Sequence, residues 1–236
     1  MQWPNHISQE FEHELEDIRT RVLAMGGLVE QHLSQAIEAI AQSKSELADE
    51  VAESDYKVNS LEVAIDEECT EILARRQPAA RDLRLVLAVI RVVRDLERVG
   101  DEAAKIGRLA VQLIEAESPK SYYINVLSMA NRVRGMLHDV LDAFARHDVD
   151  AAVAIAREDS VVDRESDAIM RQLITYMMED PRSISAVLDV MWVVRSLERV
   201  GDHVDNLCES IIYLVKGKDV RHISPEDMAR EVQSED

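Results

Sequence analysis

Apolar residues recur along this chain at steps of three and four rather than two, a period that reads as helix throughout. In the first stretch Phe11, Leu15, Ile18, Val22, Met25 and Val29 form one stripe, continued through His32 or Leu33 to Ala36 and Ile40. Such a stripe turns one side of a helix to a core. A break near residues 43 to 46 places Ser43 and Glu46 in capping-box spacing, and a second helix follows through Leu47, Val51, Val58, Leu61, Ile65 and Ile72. Arg75-Arg76-Gln77-Pro78 closes it, because a proline pushes the residue before it out of helical backbone. A third helix starts soon after Pro78 and runs to about Glu117, where Ser118-Pro119 interrupts. A fourth helix spans roughly 121 to 146, a fifth about 150 to 178 behind the capping candidates Asp148 and Asp150, and a sixth about 183 to 216, ending at Gly217. His32 on the first seam reads as a satisfied core histidine.

The second half repeats the first. Val92 to Asp101 reads VVRDLERVGD and Val193 to Asp202 reads VVRSLERVGD, nine identities in ten positions. Upstream, with a slightly different register, Leu33 pairs with Leu137, Ala39 with Ala143, Asp55 with Asp159, Val58 with Val162 and Ile65 with Ile169. A duplication follows, and with it an all-α architecture of two tandem three-helix bundles built from six long helices, packed on one another along a long axis. The first bundle covers residues 8–117 and the second 121–217. Residues 218–236 carry a good cap and first turn in Ser224-Pro225-Glu226-Asp227 but little apolar content to dock, so a mobile tail is expected.

Composition agrees and excludes partners. Seven glycines, five prolines and 4% aromatic residues are sparse for a sandwich or barrel, while 47% hydrophobic residues suffice for a core. The net charge of −19 is the wrong sign for a phosphate backbone or an anionic lipid surface, so nucleic acid is a poor partner. The longest apolar run, around Leu85 to Ile90, stops at Arg91, far short of the ~20 residues a membrane helix needs, so direct membrane insertion is not expected. An acidic N-terminus without an apolar core of a secretion signal, and only Cys69 and Cys208 for thiols, make a reducing cytoplasm the simplest compartment.

The chemistry lies in the repeat. Glu97 with Asp101, and Glu198 with Asp202, each stand four apart on one helix face and repel each other. An antiparallel hairpin turning about Pro78 sets Asp55 across from Asp101, Asn59 across from Glu97 and Glu62 across from Arg94. The hairpin about Pro181 sets Asp159 across from Asp202, Asp163 across from Glu198 and Ser166 across from Arg195. Asn206 extends the second stripe by a turn, and Lys105 stands at the matching place in the first, where it could neutralise Asp101. Facing carboxylates coexist through protons, arginines or metal ions. One reading is a solvated face of Glu–Arg pairs, with Arg94, Arg98, Arg195 and Arg199 at hand. The other is a multidentate oxygen site for Mg²⁺, Mn²⁺ or Ca²⁺, or for iron or zinc, and its double occurrence favours it. Gly100 and Gly201, each costing about 1 kcal/mol inside a helix relative to Ala, suggest close packing beside the acids or room for an ion. A di-iron oxidase would need Glu-x-x-His on two helices, and only Glu10 with His13 has that form. His203 reads as a surface or interface residue rather than a ligand.

Duplicated LERVGD, Pro78 followed by Arg81-Asp82-Leu83-Arg84, and the closing Tyr213-Leu214-Val215-Lys216-Gly217-Lys218-Asp219-Val220-Arg221-His222 resemble the PhoU family over nearly the whole chain, from about Phe11 to His222. The resemblance implies tandem three-helix bundles, surface metal clusters of divalent or trivalent ions (iron, zinc, magnesium or manganese) on E/D-x-x-x-D motifs, and a homodimer. By position Glu97, Asp101, Glu198, Asp202 and Asn206 match the motif, and Asp55, Glu62, Asp159 and Asp163 its acidic companions. Lys105 departs from the Asn usual there and Ser166 replaces the acid found at Glu62, so equal metal occupancy is not expected; a single site would be the second. The resemblance also implies a cytoplasmic, non-enzymatic negative regulator of phosphate uptake and of the phosphate-starvation response, linking the phosphate transporter ATPase to the phosphate-sensing histidine kinase. The rival readings are a metal-dependent hydrolase or oxidase on the same carboxylates and a plain helical dimerisation module.

Overall fold

The computed structural model describes residues 9–233, and these hold helices and no strand. The first eight residues, which bear on the secretion-signal reading, lie outside the described residues. The first bundle contains α1 (Gln9–Gln42), α2 (Ser45–Ser54), α3 (Tyr56–Arg76) and α4 (Ala80–Glu115). The second contains α5 (Ile124–Arg146), α6 (Val149–Glu179) and α7 (Ile184–Lys216), with short 3-10 turns at Lys120–Tyr122 and Pro181–Ser183; α8 (Pro225–Gln233) follows.

The stripes read from the period are the buried faces. Ile18, Val22, Met25, Val29 and Leu33 of α1 are fully enclosed, as are Val193, Val194, Leu197, Val200 and Val204 of α7. At about 1.5–3 kcal/mol for each buried aliphatic side chain, these seams hold the helices in place. α4 and α7 form the central antiparallel pair: Asp95 meets Asn206 and Glu102 meets Arg199 along their length. Buried residues of both bundles make one continuous core. No helix among the described residues is long and apolar enough to cross a membrane.

Three local expectations change. The second helix is interrupted at Asp55, so α2 and α3 replace one element, although Asp55 itself keeps helical backbone (φ −54°, ψ −36°). The Ser43–Glu46 capping box is absent because Ser43 takes left-handed backbone (φ 57°) and ends α1, with Lys44 N–H donating to Ala39 O at 3.1 Å. Finally, the C-terminal segment has enough apolar content to dock: α8, capped by Ser224 Oγ accepting from Asp227 N–H at 3.2 Å, packs on α6 and buries Met228 and Val232. Its apolar residues are few but stand four apart, so both reach the same neighbour. Other ends follow expectation. Asp148 Oδ1 accepts from Ala151 N–H at 3.0 Å, and Gly217 closes α7 at φ 73°, where a side chain would be strained.

Candidate metal centre

In the first bundle Asp55, at the α2/α3 break, accepts from Asn59 Nδ2 at 3.4 Å on its Oδ2. Its Oδ1 and the Oδ1 of Asn59 are buried without a partner. Across the hairpin, Arg98 lies 3.4 Å from both Glu97 Oε2 and Asp101 Oδ2 and so bridges the motif acids. Burial raises the Glu97 carboxyl above its ordinary range, with Asp101 the next cause and Glu62 and Asp55 adding to it. Burial and then Asp55 raise Asp101. Glu62 is raised by burial and by Asp66, with a smaller push from Asp101. The four acids predicted here therefore share one field, with Asn59 attached through its hydrogen bond to Asp55, and Asp66, one turn beyond Glu62, joins them.

In the second bundle the crowding is stronger. Asp159 is pushed up to about 7, first by burial and then by Asp163, Asp205, Asp202 and Glu198. Burial, Glu198 and Asp163 raise Asp202. Asp159 Oδ1 is buried without a hydrogen bond, and an added Cβ at Gly201 would come within 3.0 Å of it. Glycine here admits the acid to the helix surface. At Gly100 the same added Cβ would meet Val58 Cγ1 at 3.1 Å instead, an apolar close approach. Glu198 is held by Ser166 Oγ donating at 3.2 Å and Arg195 Nη1 donating at 2.9 Å, so Ser166 does reach the stripe.

Three residues depart from the predicted arrangement. Asn206 faces the other bundle, its Nδ2 donating to Asp95 Oδ1 at 3.0 Å, an oxygen also 2.9 Å from His203 Nδ1. His203 is thus an interface histidine, as read. Lys105 lies 3.5 Å from Glu102 and 5.4 Å over the Trp192 ring rather than on Asp101, because the enclosed Glu102 carboxylate and an aromatic face offer it more than Asp101, which is half-buried and already paired with Arg98. Asp205, missed in the sequence, takes Asn206's place: burial, then Glu209 and Asp202, raise it to about 6, and its Oδ1 is buried without a partner. Its position three residues after Asp202 was the available signal. His32 is half satisfied, its Nε2 3.0 Å from Ser54 Oγ and its Nδ1 without a partner.

Among the described residues no group of three or more His, Cys, Asp or Glu side chains converges, as it stands, on a common metal position. The donor chemistry fits a hard cation all the same. Buried oxygens without partners at Asp55, Asn59, Asp159 and Asp205, and carboxyls raised by one another, are groups whose charged forms a cation stabilises. Rotation of carboxylates about two torsions is what would bring them together.

The comparisons follow the same duplication. The PhoU domain model matches residues 22–110 and again 126–211, once per bundle. The chain is 54% identical over 230 residues to the phosphate-specific transport system accessory protein PhoU homolog of Pseudomonas putida, covering 97% of this chain and 90% of that one. It is 49% identical over 231 residues to the phosphate-specific transport system accessory protein PhoU of Escherichia coli K12, covering 98% and 95%. The crystal structure of PhoU from Pseudomonas aeruginosa superposes with a TM-score of 0.86 at 51% identity, over 88% of this chain and all of that one. The phosphate transport system regulatory protein PhoU from Streptococcus pneumoniae does so at 0.82 and 31%, over 89% and 99%. With two matched domains, long relatives and the same tandem bundles, the chain belongs to the PhoU family.

Proposed function

We propose that this chain is a cytoplasmic accessory protein of a phosphate-specific transport system that restrains phosphate uptake and the phosphate-starvation response without catalysing a reaction. It acts through contacts, bridging the transporter's ATPase and a phosphate-sensing histidine kinase, and it works as a homodimer. The names carried by relatives that align over nearly the whole chain support the transport role. The duplicated carboxylate stripe is the single observation that carries the metal part of the reading: Asp55, Asn59, Glu62, Glu97 and Asp101 in one bundle, and Asp159, Asp163, Glu198 and Asp202, with Asp205, in the other.

A bound cation such as Mg²⁺, Mn²⁺, iron or zinc would supply charge that lets these carboxylates ionise together. The chain's own residues do the remainder. Arg98 and Arg195 hold Glu97 and Glu198 toward the helix edge, and Gly201 keeps the surface beside Asp159 open. With its acids neutralised, each bundle presents a less repulsive face to a partner, so metal load and partner affinity are coupled. A tagged copy should retain the kinase and the ATPase from lysate, and deletion should leave phosphatase genes on in high phosphate. Retention of neither partner, with normal repression in the deletion strain, would refute the adaptor role; elemental analysis of protein reloaded after chelation tests the metal separately.

A further inference from the structure

The face that carries the second acidic stripe does not stay acidic. Following α6 from Asp159 and Asp163 toward Pro181, the same edge passes Met170, Ile174 and Met178; following α7 back from Asp202 and Glu198, it passes Leu188 and Ile184. Trp192 stands one turn from Leu188. Ile174, Met178, Ile184, Leu188 and Trp192 are all exposed, Met178 to 79% and Trp192 to 55%. As i, i+4 neighbours on two antiparallel helices joined by a tight turn, they form one patch on the order of 500 Å², near the upper end of what a monomer leaves uncovered.

The first bundle has no counterpart. Where α6 carries Met170, Ile174 and Met178, α3 carries Asp66, Thr70 and Ala74, and where α7 carries Trp192, α4 carries Arg91. The positions equivalent to Ile184 and Leu188 are Leu83 and Leu87, both half-buried. That end of α4 is covered in part by the chain itself: Arg91 lies 4.5 Å over the Tyr213 ring, and Arg84 is 3.4 Å from where a Cβ of Gly217 would stand. The covering run, Tyr213 to His222, mixes apolar residues such as Val215 and Val220 with Lys216, Lys218 and Arg221.

Charge selects the occupant of the open face, whose own cations are already engaged at its rim, Lys105 over the Trp192 ring and Arg195 on Glu198. Asp189, half-buried beside Leu188, makes no ion pair among the described residues, and burial raises its carboxyl. The carboxylates of Glu198 and Asp202 begin ten residues along α7 from Leu188, about 15 Å away. A second copy, at −19 and with the same acids, would bring like charge to both.

We propose that the apolar end of the α6–α7 hairpin docks a basic amphipathic helix of another protein, its apolar side on Ile174, Met178, Leu188 and Trp192 and its Lys or Arg residues toward Asp189 and the acidic stripe. The surface deepens the adaptor reading and rests on it, but its test uses neither the kinase nor the ATPase, so each can fail alone. In a Trp3→Phe background Trp192 is the only tryptophan and reports the patch. A synthetic Leu/Lys amphipathic helix should shift its emission to the blue and saturate, while a Leu/Glu helix should not. Leu188→Asp should weaken the Leu/Lys helix about tenfold or more, although it adds negative charge that would strengthen a merely ionic association. Met178→Glu serves the same purpose at the most exposed position of the patch. Equal binding to either variant and the parent, or equal binding of both peptides, overturns the proposal. So does a parent dimer that Leu188→Asp splits, which assigns the face to a second copy, or a Trp192 shift on anionic vesicles that the peptide does not give, which assigns it to a membrane.

Discussion

The two bundles share three acids, Asp55, Glu97 and Asp101 in one and Asp159, Glu198 and Asp202 in the other, on different supports. At Asp55 the helix of the first bundle is interrupted, Asn59 donates to the carboxylate, and Arg98 spans Glu97 and Asp101. At Asp159 the corresponding helix runs unbroken, no hydrogen bond reaches Oδ1, and four further carboxylates press on it. Beneath the acids, Gly100 faces Val58 whereas Gly201 faces Asp159 itself. The duplication keeps those three acids, while the surrounding residues differ and set how far each is quenched. An acid's place in a motif therefore says less about how strongly its charge is opposed than the number of amides and guanidinium groups around it.

The strongest challenge to this comparison is to ask whether the bundles are separable at all. Leu96→Ala and Leu197→Ala, at equivalent and fully buried positions, should each cost about 2–5 kcal/mol and lower one shared unfolding transition, since α4 and α7 are one core. Two transitions in calorimetry, with each variant moving only its own, would break the picture. Next comes metal. Asp202→Asn should lose more bound ion than Asp101→Asn, and metal at 100 times its Kd should stabilise the parent by about 2.7 kcal/mol, a gain largely lost in Asp202→Asn. Elemental analysis and melting curves with and without chelator read both.

A smaller effect distinguishes the bundles by pH. Asp159 has a folded value near 7, above the ordinary aspartate value of 3.8, so the unfolded chain releases its proton first as pH rises. The stabilisation is complete below about pH 4 and is lost as pH climbs through 7. In chelator at pH 8, Asp159→Asn should therefore raise Tm by roughly 2–4 °C, the effect of about 1 kcal/mol in a chain of this size, and give no gain at pH 4. The partly solvated setting limits the size. The smallest test concerns the caps. Ser43-Lys44 and His147-Asp148 occupy equivalent turns with left-handed Ser43 and His147, but only Asp148 caps the next helix. Asp148→Ala should cost about 1 kcal/mol and Lys44→Asp should gain about 0.5 kcal/mol, measured by denaturant melts.

Much of this was legible in advance because helices are local objects. The seam from Leu15 to Ile40, the ends at Pro78 and Gly217, and the pairing of Asp55 with Asp101 and Asp159 with Asp202 follow from a 3.6-residue period and an antiparallel hairpin. The sequence reads Asn206 onto the stripe and is silent on Asp205, because adjacent residues differ by about 100° in direction and which of them faces α6 depends on how α7 is rotated against α4. Lys105 turns from Asp101 to its other helical neighbour Glu102 for a related reason: the contact between bundles encloses Glu102 beside Arg199 and brings the Trp192 ring over from α7. The docked α8 was missed because two apolar residues are a weak signal until a groove exists to receive them.

What the amino-acid order determined by itself was the period, the stops and the duplication, and hence two helical bundles with acids on matching faces. Only the tertiary structure decided which of those acids are crowded, which are quenched by nearby amides and guanidinium groups, and that one hairpin tip is left apolar and exposed. Periodicity acts over a turn or two of backbone, whereas burial and electrostatic fields are set by side chains far apart in the chain that meet only when the helices pack.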